Sequence, residues 1–400
     1  MNPIQLNAAR VAAAALCLTA YAAQAQTTVN FGSPEQTIRG FGGSTAFLGE
    51  INNTDANALF SNGDDQQMGL SLLRIRIDPG GEGNWGTELS NAQMAAARGA
   101  SIFATPWTPP ASMKSNGSTI GGSLLTADYA AYATYLKSFV TYMSNNGAPL
   151  YAISMQNEPD ANVDYESCTW TAAQMETWVA NNASAVGSKL IMPESEGFNT
   201  AYSDPSLNNS TADSNISIVG GHLYGTSPFY YTNAKNKGKD VWMTEHYLTG
   251  LTISNAMTMA KEITDSMSIA QYNAYVWWYV KDNNIGLVNS NDYLTILGYT
   301  MGQWAKFVRP GYQMVRSTYN PSTSIYTTAF TGSGHYAIVA INTGSSAVNE
   351  KFTLSGATIT SLIPYQTSNT ESMEQLATVT VSGDAFTYSL PAQSITTFYK

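Results

Sequence analysis

Between about residues 39 and 312 the chain alternates two patterns of apolar positions. Short continuous apolar runs lie at 40–46, 71–77, 101–107, 150–156, 189–193, 216–224, 240–247 and 272–280. Runs of this length, apolar at consecutive positions, predict strands buried on both faces of a parallel sheet. Between them, apolar residues recur at helical spacing. Tyr129, Tyr132, Leu136, Phe139, Val140 and Met143 fall on one face of a predicted helix that Thr126 is placed to cap. Met175, Trp178 and Val179 mark a second helix, and Met257, Ala260, Ile263 and Met267 a third. Eight such units in roughly 270 residues predict an α/β fold, and a closed (β/α)8 TIM barrel fits that length better than an open sheet. A doubly wound sheet stays open as an alternative. No G-x-G-x-x-G opens a helix after the first strand, however, and there is no P-loop.

After residue 312 the pattern becomes short and alternating, at 324–330, 335–342, 350–354, 376–381 and 395–399, with Ser, Thr and Gly turns between. This predicts a small antiparallel β-sandwich side domain. The stretch 27–38 also alternates and is expected to join it. The expected organisation is a barrel over 39–312 and a side domain built from 26–38 plus 313–400. Residues 1–25 read as a secretory signal, with Arg10, an apolar run from Val11 to Leu18, and Ala23-Gln24-Ala25 as the cleavage site. That run is too short to cross a ~30 Å hydrocarbon core. The expected location is therefore secreted or periplasmic.

Composition narrows the partners. Acidic residues outnumber basic ones 28 to 18, giving a net charge of −10. No basic patch suits nucleic acid or an anionic membrane surface, so neither is expected as a partner. Aromatics make up 11% of the chain, which argues against disorder despite only 12% charged residues. Of the two cysteines, Cys17 falls in the signal, leaving Cys168 with no partner for an intrachain disulfide. A monomer stabilised by its core is expected.

Barrel enzymes place their chemistry at the C-terminal ends of the strands. That rule selects Asp78, Glu158, Glu194 and Glu245. For each, a structural ion pair with Arg74 or Arg76 is the competing reading. Glu158 stands out in Asn157-Glu158-Pro159, and Glu245 in Thr244-Glu245-His246-Tyr247, where neighbouring groups could hydrogen-bond to it. They follow the fourth and seventh strands and can converge over the barrel mouth. Two facing carboxylates are the minimal equipment of glycoside hydrolysis. Trp107, Tyr224 and Trp278 end strands, and Trp85 and Tyr165 fall in neighbouring loops. Flat side chains with one polar atom suit sugar rings. Adjacent strand residues face opposite ways, so only one of Trp277 and Trp278 can face the site; Trp278 is the one expected. The three histidines, His222, His246 and His335, form no metal motif, and no metal or cofactor is expected.

Several segments together resemble glycoside hydrolase family 30, in particular its bacterial glucuronoxylanase subfamily. They are EQTIRGFGG at 35–43, IFATPWTPPASMK at 102–114, APLYAISMQNEPD at 148–160, GGHLYGT at 220–226, VWMTEHY at 241–247, AYVWWY at 274–279 and FVRPG at 307–311. The resemblance implies a barrel with a β-sandwich side domain and retaining hydrolysis of β-1,4-xylan without a cofactor. It implies Glu158 as general acid/base and Glu245 as nucleophile. It also implies Asn157, Trp107, Tyr224, Trp278, Tyr165, Tyr247 and Arg74 as residues around the substrate.

The chain departs from the subfamily after Trp277-Trp278-Tyr279. Two arginines and a tyrosine that usually grip a glucuronic acid branch are replaced by Lys281-Asp282-Asn283-Asn284-Ile285-Gly286. Gly250 replaces a serine, and Ala161 a tryptophan. The expectation is an endo-xylanase with little dependence on glucuronic acid branches. The alternatives are a branch-dependent xylanase, another family 30 β-glycosidase, or a non-catalytic carbohydrate-binding protein. The mechanism requires carboxylates about 5–5.5 Å apart, with Glu158 protonated at rest. Burial and the charge of Glu245 are expected to raise the pKa of Glu158, and Arg74, Asn157 and Tyr224 to keep Glu245 ionised.

Overall fold

The structure, a computed structural model, describes residues 26–64 and 66–400. The expected signal segment lies outside the described residues. A first strand, β1 (Gln26–Thr37), leads into eight strands that close a parallel barrel. These are β2 (Gly40–Ser44), β3 (Leu72–Arg76), β4 (Ser101–Thr105), β5 (Leu150–Ser154), β6 (Lys189–Ser195), β7 (Ile216–His222), β8 (Asp240–Glu245) and β9 (Ala274–Tyr279). All eight expected runs are strands, and the closed ring excludes the doubly wound alternative.

Side-chain alternation divides the barrel core in two. Leu72, Phe103, Ala152, Ile191, Ile218, Trp242, Ala274 and Val276 fill the interior, where Phe103 and Trp242 pack edge to face with centroids 5.7 Å apart. Their neighbours Leu73, Ile102, Ile153, Leu190, Val219 and Val241 face the surrounding helices. Two residues further along β3, β4, β5 and β8, the inward positions turn polar: Arg74, Thr105, Ser154 and Thr244, all fully buried. The interior plug thus ends in a polar layer that forms the floor of the site. Close approach of β2 to β3 requires Gly42, since a Cβ there would lie 2.6 Å from the Leu72 carbonyl oxygen.

The main helices are α1 (Asn53–Phe60), α2 (Gly86–Ala96), α3 (Tyr129–Asn145) and α4 (Ala172–Asn182). They continue with the short α5 (Asp204–Asn208), α6 (Ser210–Asn215) and α7 (Thr232–Asn236), then α8 (Ile253–Ser268) and α9 (Ile296–Ala305). The apolar faces expected for α3, α4 and α8 point inward; Val140 alone among their marked positions is only partly buried. Thr126 does not cap α3. It lies within a separate tight turn, Thr126–Asp128, that runs into the helix, and no side chain caps α3 there.

The side domain is one curled sheet. Its strands are β1 with β10 (Gln313–Ser317), β11 (Ile325–Gly332), β12 (His335–Asn342), β13 (Val348–Ser355), β14 (Ser361–Thr367), β15 (Ser372–Gln375), β16 (Val379–Thr380), β17 (Ala385–Leu390) and β18 (Ser394–Tyr399). Their order is β15-β14-β18-β12-β11-β10-β1-β13-β17, with β16 beside β14. The pairs are antiparallel except β1 with β13, where the N-terminal strand inserts in parallel. The sheet folds over until Phe386 of β17 meets Phe398 of β18, with centroids 5.0 Å apart. Phe352 completes this second core. The outer face of β11, β12, β14 and β18 packs on α8 and α9. Helix α9 is consequently buried on nearly every side, and Gln303 bonds Thr367 Oγ1 (2.8 Å) while Thr397 Oγ1 donates to Gln303 Oε1 (2.5 Å). No helix among the described residues is long and apolar enough to cross a membrane.

Candidate active site

The site is built where β3, β5, β6, β7 and β8 end. Glu245 closes β8, His222 closes β7, Glu194 lies in β6, and Glu158 follows β5 by one short turn. Glu158 and Glu194 have φ of 43° and 54°, a region L residues rarely adopt and one that clusters at functional sites. Backbone hydrogen bonds hold this turn: Glu158 N donates to Glu194 O (2.9 Å), and Asn157 N to Pro106 O (2.8 Å).

Arg74 organises the charges from below. Its guanidinium is fully buried, hydrogen-bonds Glu245 Oε2 and Asn157 Oδ1 (2.8 Å), and lies 3.3 Å from Glu194 Oε1. It also lies 4.7 Å from the centre of the Trp107 ring. Tyr224 donates its hydroxyl to Glu245 Oε1 at 2.8 Å. His222, fully buried, places Nδ1 2.8 Å from Glu158 Oε1 and 3.9 Å from Glu245 Oε1. A carboxylate oxygen of Glu158, one of Glu245 and a ring nitrogen of His222 all lie within 4.8 Å of one another.

Protonation follows from these neighbours. Burial alone would penalise charge on Glu194, but Arg74 and His222 hold its pKa down at about 2. Burial works against an imidazolium, yet the charge of Glu245 and the hydrogen bond to Glu158 raise His222 to about 9. Glu158 departs from expectation. Burial does push its pKa up, but the hydrogen bond and charge of His222, followed by Arg74, outweigh burial and leave it below its usual value. These opposite shifts favour the shared proton on the His222 side of this pair. Tyr224 is held firmly in its phenol form by burial and by Glu245. The same three donors, Glu158, His222 and Glu245, are spaced as a cation site would be. The guanidinium already on Glu245 and the bond between Glu158 and His222 occupy that donor set, so it fits a proton-sharing pair better than a metal.

Above the charges opens a cleft of about 410 Å3. Phe47, Trp107, Tyr165, Tyr224, Tyr247, Trp278 and Tyr279 line it, together with Glu158, Glu196 and Glu245. Trp278 faces the cleft as expected, whereas Trp277 is buried in the wall and donates to Ile285 O at 2.6 Å. Tyr165 reaches over Glu158, its hydroxyl 3.5 Å from Oε2.

Several expected contacts take other forms. Asn157 is buried beneath the cleft and braces Arg74; its Oδ1 accepts from Arg74 rather than the side chain bonding to Glu245. The residues beside Glu245 in sequence do not bond to it. Strand alternation turns His246 away to Glu262 (2.9 Å), and Tyr247 lines the rim. Trp85 packs on Tyr135, Phe139 and Tyr142 in the core, away from the cleft. Asp78 and Glu194 follow the ion-pair reading, with Arg76 (2.7 Å) and Arg74 (3.3 Å). Sequence reasoning passed over Phe47 and Glu196, each just beyond a strand end, where the same rule that selected Glu158 would have found them. It weighed His222 only as a metal ligand.

Residues 84–232 match the glycosyl hydrolase family 30 TIM-barrel domain. The chain is 38% identical to glucuronoxylanase XynC of Bacillus subtilis (strain 168) over 392 residues, covering 94% of this chain and 92% of that protein. Among solved structures it is similar to the family 30 subfamily 8 xylanase Xyn30A of Clostridium acetobutylicum (TM-score 0.90, 46% identity, 94% and 99% of the chains covered). It is also similar to a family 30 endoxylanase of Clostridium papyrosolvens C71 (TM-score 0.88, 43% identity, 94% and 99% covered). With likeness over nearly its whole length and a carboxylate pair at the barrel mouth, the chain belongs to glycoside hydrolase family 30.

Proposed function

We propose that the protein is a retaining endo-β-1,4-xylanase, exported by its first 25 residues and active as a monomer. The observation that carries the retaining mechanism is the approach of the Glu158 and Glu245 carboxylate oxygens to within 4.8 Å. Retaining enzymes set the pair about 5–5.5 Å apart, and inverting ones about 6.5–9.5 Å to admit water between them. Glu245, hydrogen-bonded by Arg74 and Tyr224, attacks the anomeric carbon. Glu158 protonates the leaving oxygen and then takes a proton from the water that hydrolyses the glycosyl-enzyme. Sugar in the cleft displaces water from the open edge of Glu158, which penalises its charge and draws the shared proton from His222 to the carboxyl. The aromatic lining supplies flat surfaces for a chain of xylose rings, and both Clostridium relatives are named as xylanases.

The β9–α9 loop supports the reading of little dependence on glucuronic acid branches. Lys281 is held by Asp55 Oδ2 (2.8 Å) and Asp292 Oδ1 (2.5 Å), so it is not free to grip a carboxylate. Asp282 accepts two backbone N–H bonds, from Asn284 (2.7 Å) and Ile285 (2.9 Å), which fix its turn. Among the described residues, no arginine or lysine lines the cleft. The test is NMR of the first anomer released from linear and from glucuronate-branched xylan. The expected product is the β anomer from both, at comparable rates. An α anomer contradicts retention. Products limited to fragments carrying one glucuronate at a fixed position contradict branch independence.

A further inference from the structure

Glu196 belongs to the cleft but has no part in the chemistry above. Two hydrogen bonds fix its backbone and a third fixes its neighbour Ser195. Asp160, two residues after Glu158, accepts from Glu196 N at 3.0 Å and from Ser195 Oγ at 2.7 Å. Tyr224 N donates to Glu196 O at 3.2 Å. The turn bearing Glu158 and the end of β6 bearing Glu196 are thereby pinned together, so Glu196 stands on the same side of the cleft as Glu158. Its side chain is exposed and lines the cleft with Tyr165. Partial desolvation against the cleft wall, Glu158 and Asp160 together raise its pKa, as expected of a carboxylate in an acidic corner.

A general acid sits beside the oxygen that leaves, so residues outward from Glu158 meet the sugar on the leaving side. From this placement, which rests on the xylanase reading above, we infer that Glu196 is a specificity-determining residue of the leaving-group subsite: its carboxylate accepts hydrogen bonds from the hydroxyls of the first leaving-side xylose and repels an acidic branch on that sugar. The placement gives glucuronate tolerance a direction. Among the described residues no lysine or arginine lines the cleft, and Glu196 is the one lining carboxylate besides the two of the reaction.

The test is mass spectrometry of the ends generated from glucuronoxylan by the full-length protein, Glu196→Gln and Glu196→Lys, at low and high salt. The expected result is that the share of new non-reducing ends whose terminal xylose carries a glucuronate rises about three- to tenfold in Glu196→Gln, the effect of removing one charge several ångströms away at a partly wet surface. In Glu196→Lys the share should rise further. High salt should raise it in the unsubstituted protein and leave Glu196→Gln unchanged. Equal shares in all three proteins at both salt concentrations would overturn the role given to Glu196 while leaving the xylanase reading intact. Failure of the unsubstituted protein to cleave xylan at all would instead overturn that reading, and this inference with it.

Discussion

At the scale of single residues, the site is a buried charge cluster that no one side chain could stabilise alone. Arg74 faces Glu245 and Glu194, and His222 faces Glu158, Glu194 and Glu245. Stability should therefore depend on pH from both directions. The pKa of Glu194 is lowered to about 2 in the fold, so its contribution is present above the ordinary carboxylate range and is lost as pH falls toward 2. The pKa of His222 is raised to about 9, so its contribution is full below about pH 6.5 and is lost as pH climbs to 9. Thermal unfolding should show greatest stability between about pH 4.5 and 6.5, with arms worth on the order of a few kcal/mol on either side. His222→Asn should be less stable at pH 6 and should flatten the alkaline arm. An alkaline arm unchanged in that variant would contradict the assignment of the proton to His222. Glu158 and Glu245 were legible from sequence because a strand end is a local feature. The proton's place was not, because it depends on His222 meeting Glu158 across 64 positions of chain.

At the scale of elements, the eight strands and the main helices announce themselves by periodicity, but the loops between them do not. The β9–α9 loop shows why. Its sequence suggested a lone lysine near a missing arginine pair. The structure instead spends Lys281 on Asp55 in the first turn of α1 and on Asp292 within the loop, with Asn52 Nδ2 also donating to Asp292 at 3.0 Å. Asp55 is almost wholly buried, so removing its cation leaves an uncompensated charge. Lys281→Met should lower stability by about 1–3 kcal/mol in chemical unfolding. It should leave the ratio of rates on branched and linear xylan unchanged. A selective loss of activity on the branched polymer would contradict the structural role and give Lys281 to the substrate. Similarly, β10, β14, β15 and β17 are four side-domain strands that the expected set did not include, and the expected strand at 376–381 shrinks to Val379–Thr380.

At the scale of the whole molecule, barrel and side domain share structure rather than merely touching. Strand β1 precedes the barrel in sequence yet pairs with β10 and β13 beyond it. Helix α9 buries Leu297, Met301 and Trp304 between the two, and Trp304 Nε1 donates to Thr328 Oγ1 at 3.2 Å. Calorimetry should accordingly show one cooperative transition for the whole chain. Truncation after residue 312 should yield an aggregating product, because the apolar surface of α8 and α9 loses its cover. Two separable transitions, or a folded and active barrel after truncation, would contradict this. The two-part organisation was readable from the change of texture after residue 312. The parallel insertion of β1 was not, since pairing between chain ends leaves no local mark.

Retention requires Glu245 to form a bond to sugar. Incubation with a 2-deoxy-2-fluoro xylobioside bearing a good leaving group should slow the second step and trap that species, because the fluorine destabilises the transition state for release. Intact-mass measurement followed by peptide mapping should find one fluoroxylobiosyl group per chain, on the carboxylate of Glu245. An enzyme that hydrolyses xylan yet carries no label, or carries it on Glu158 or any other residue, would contradict the account.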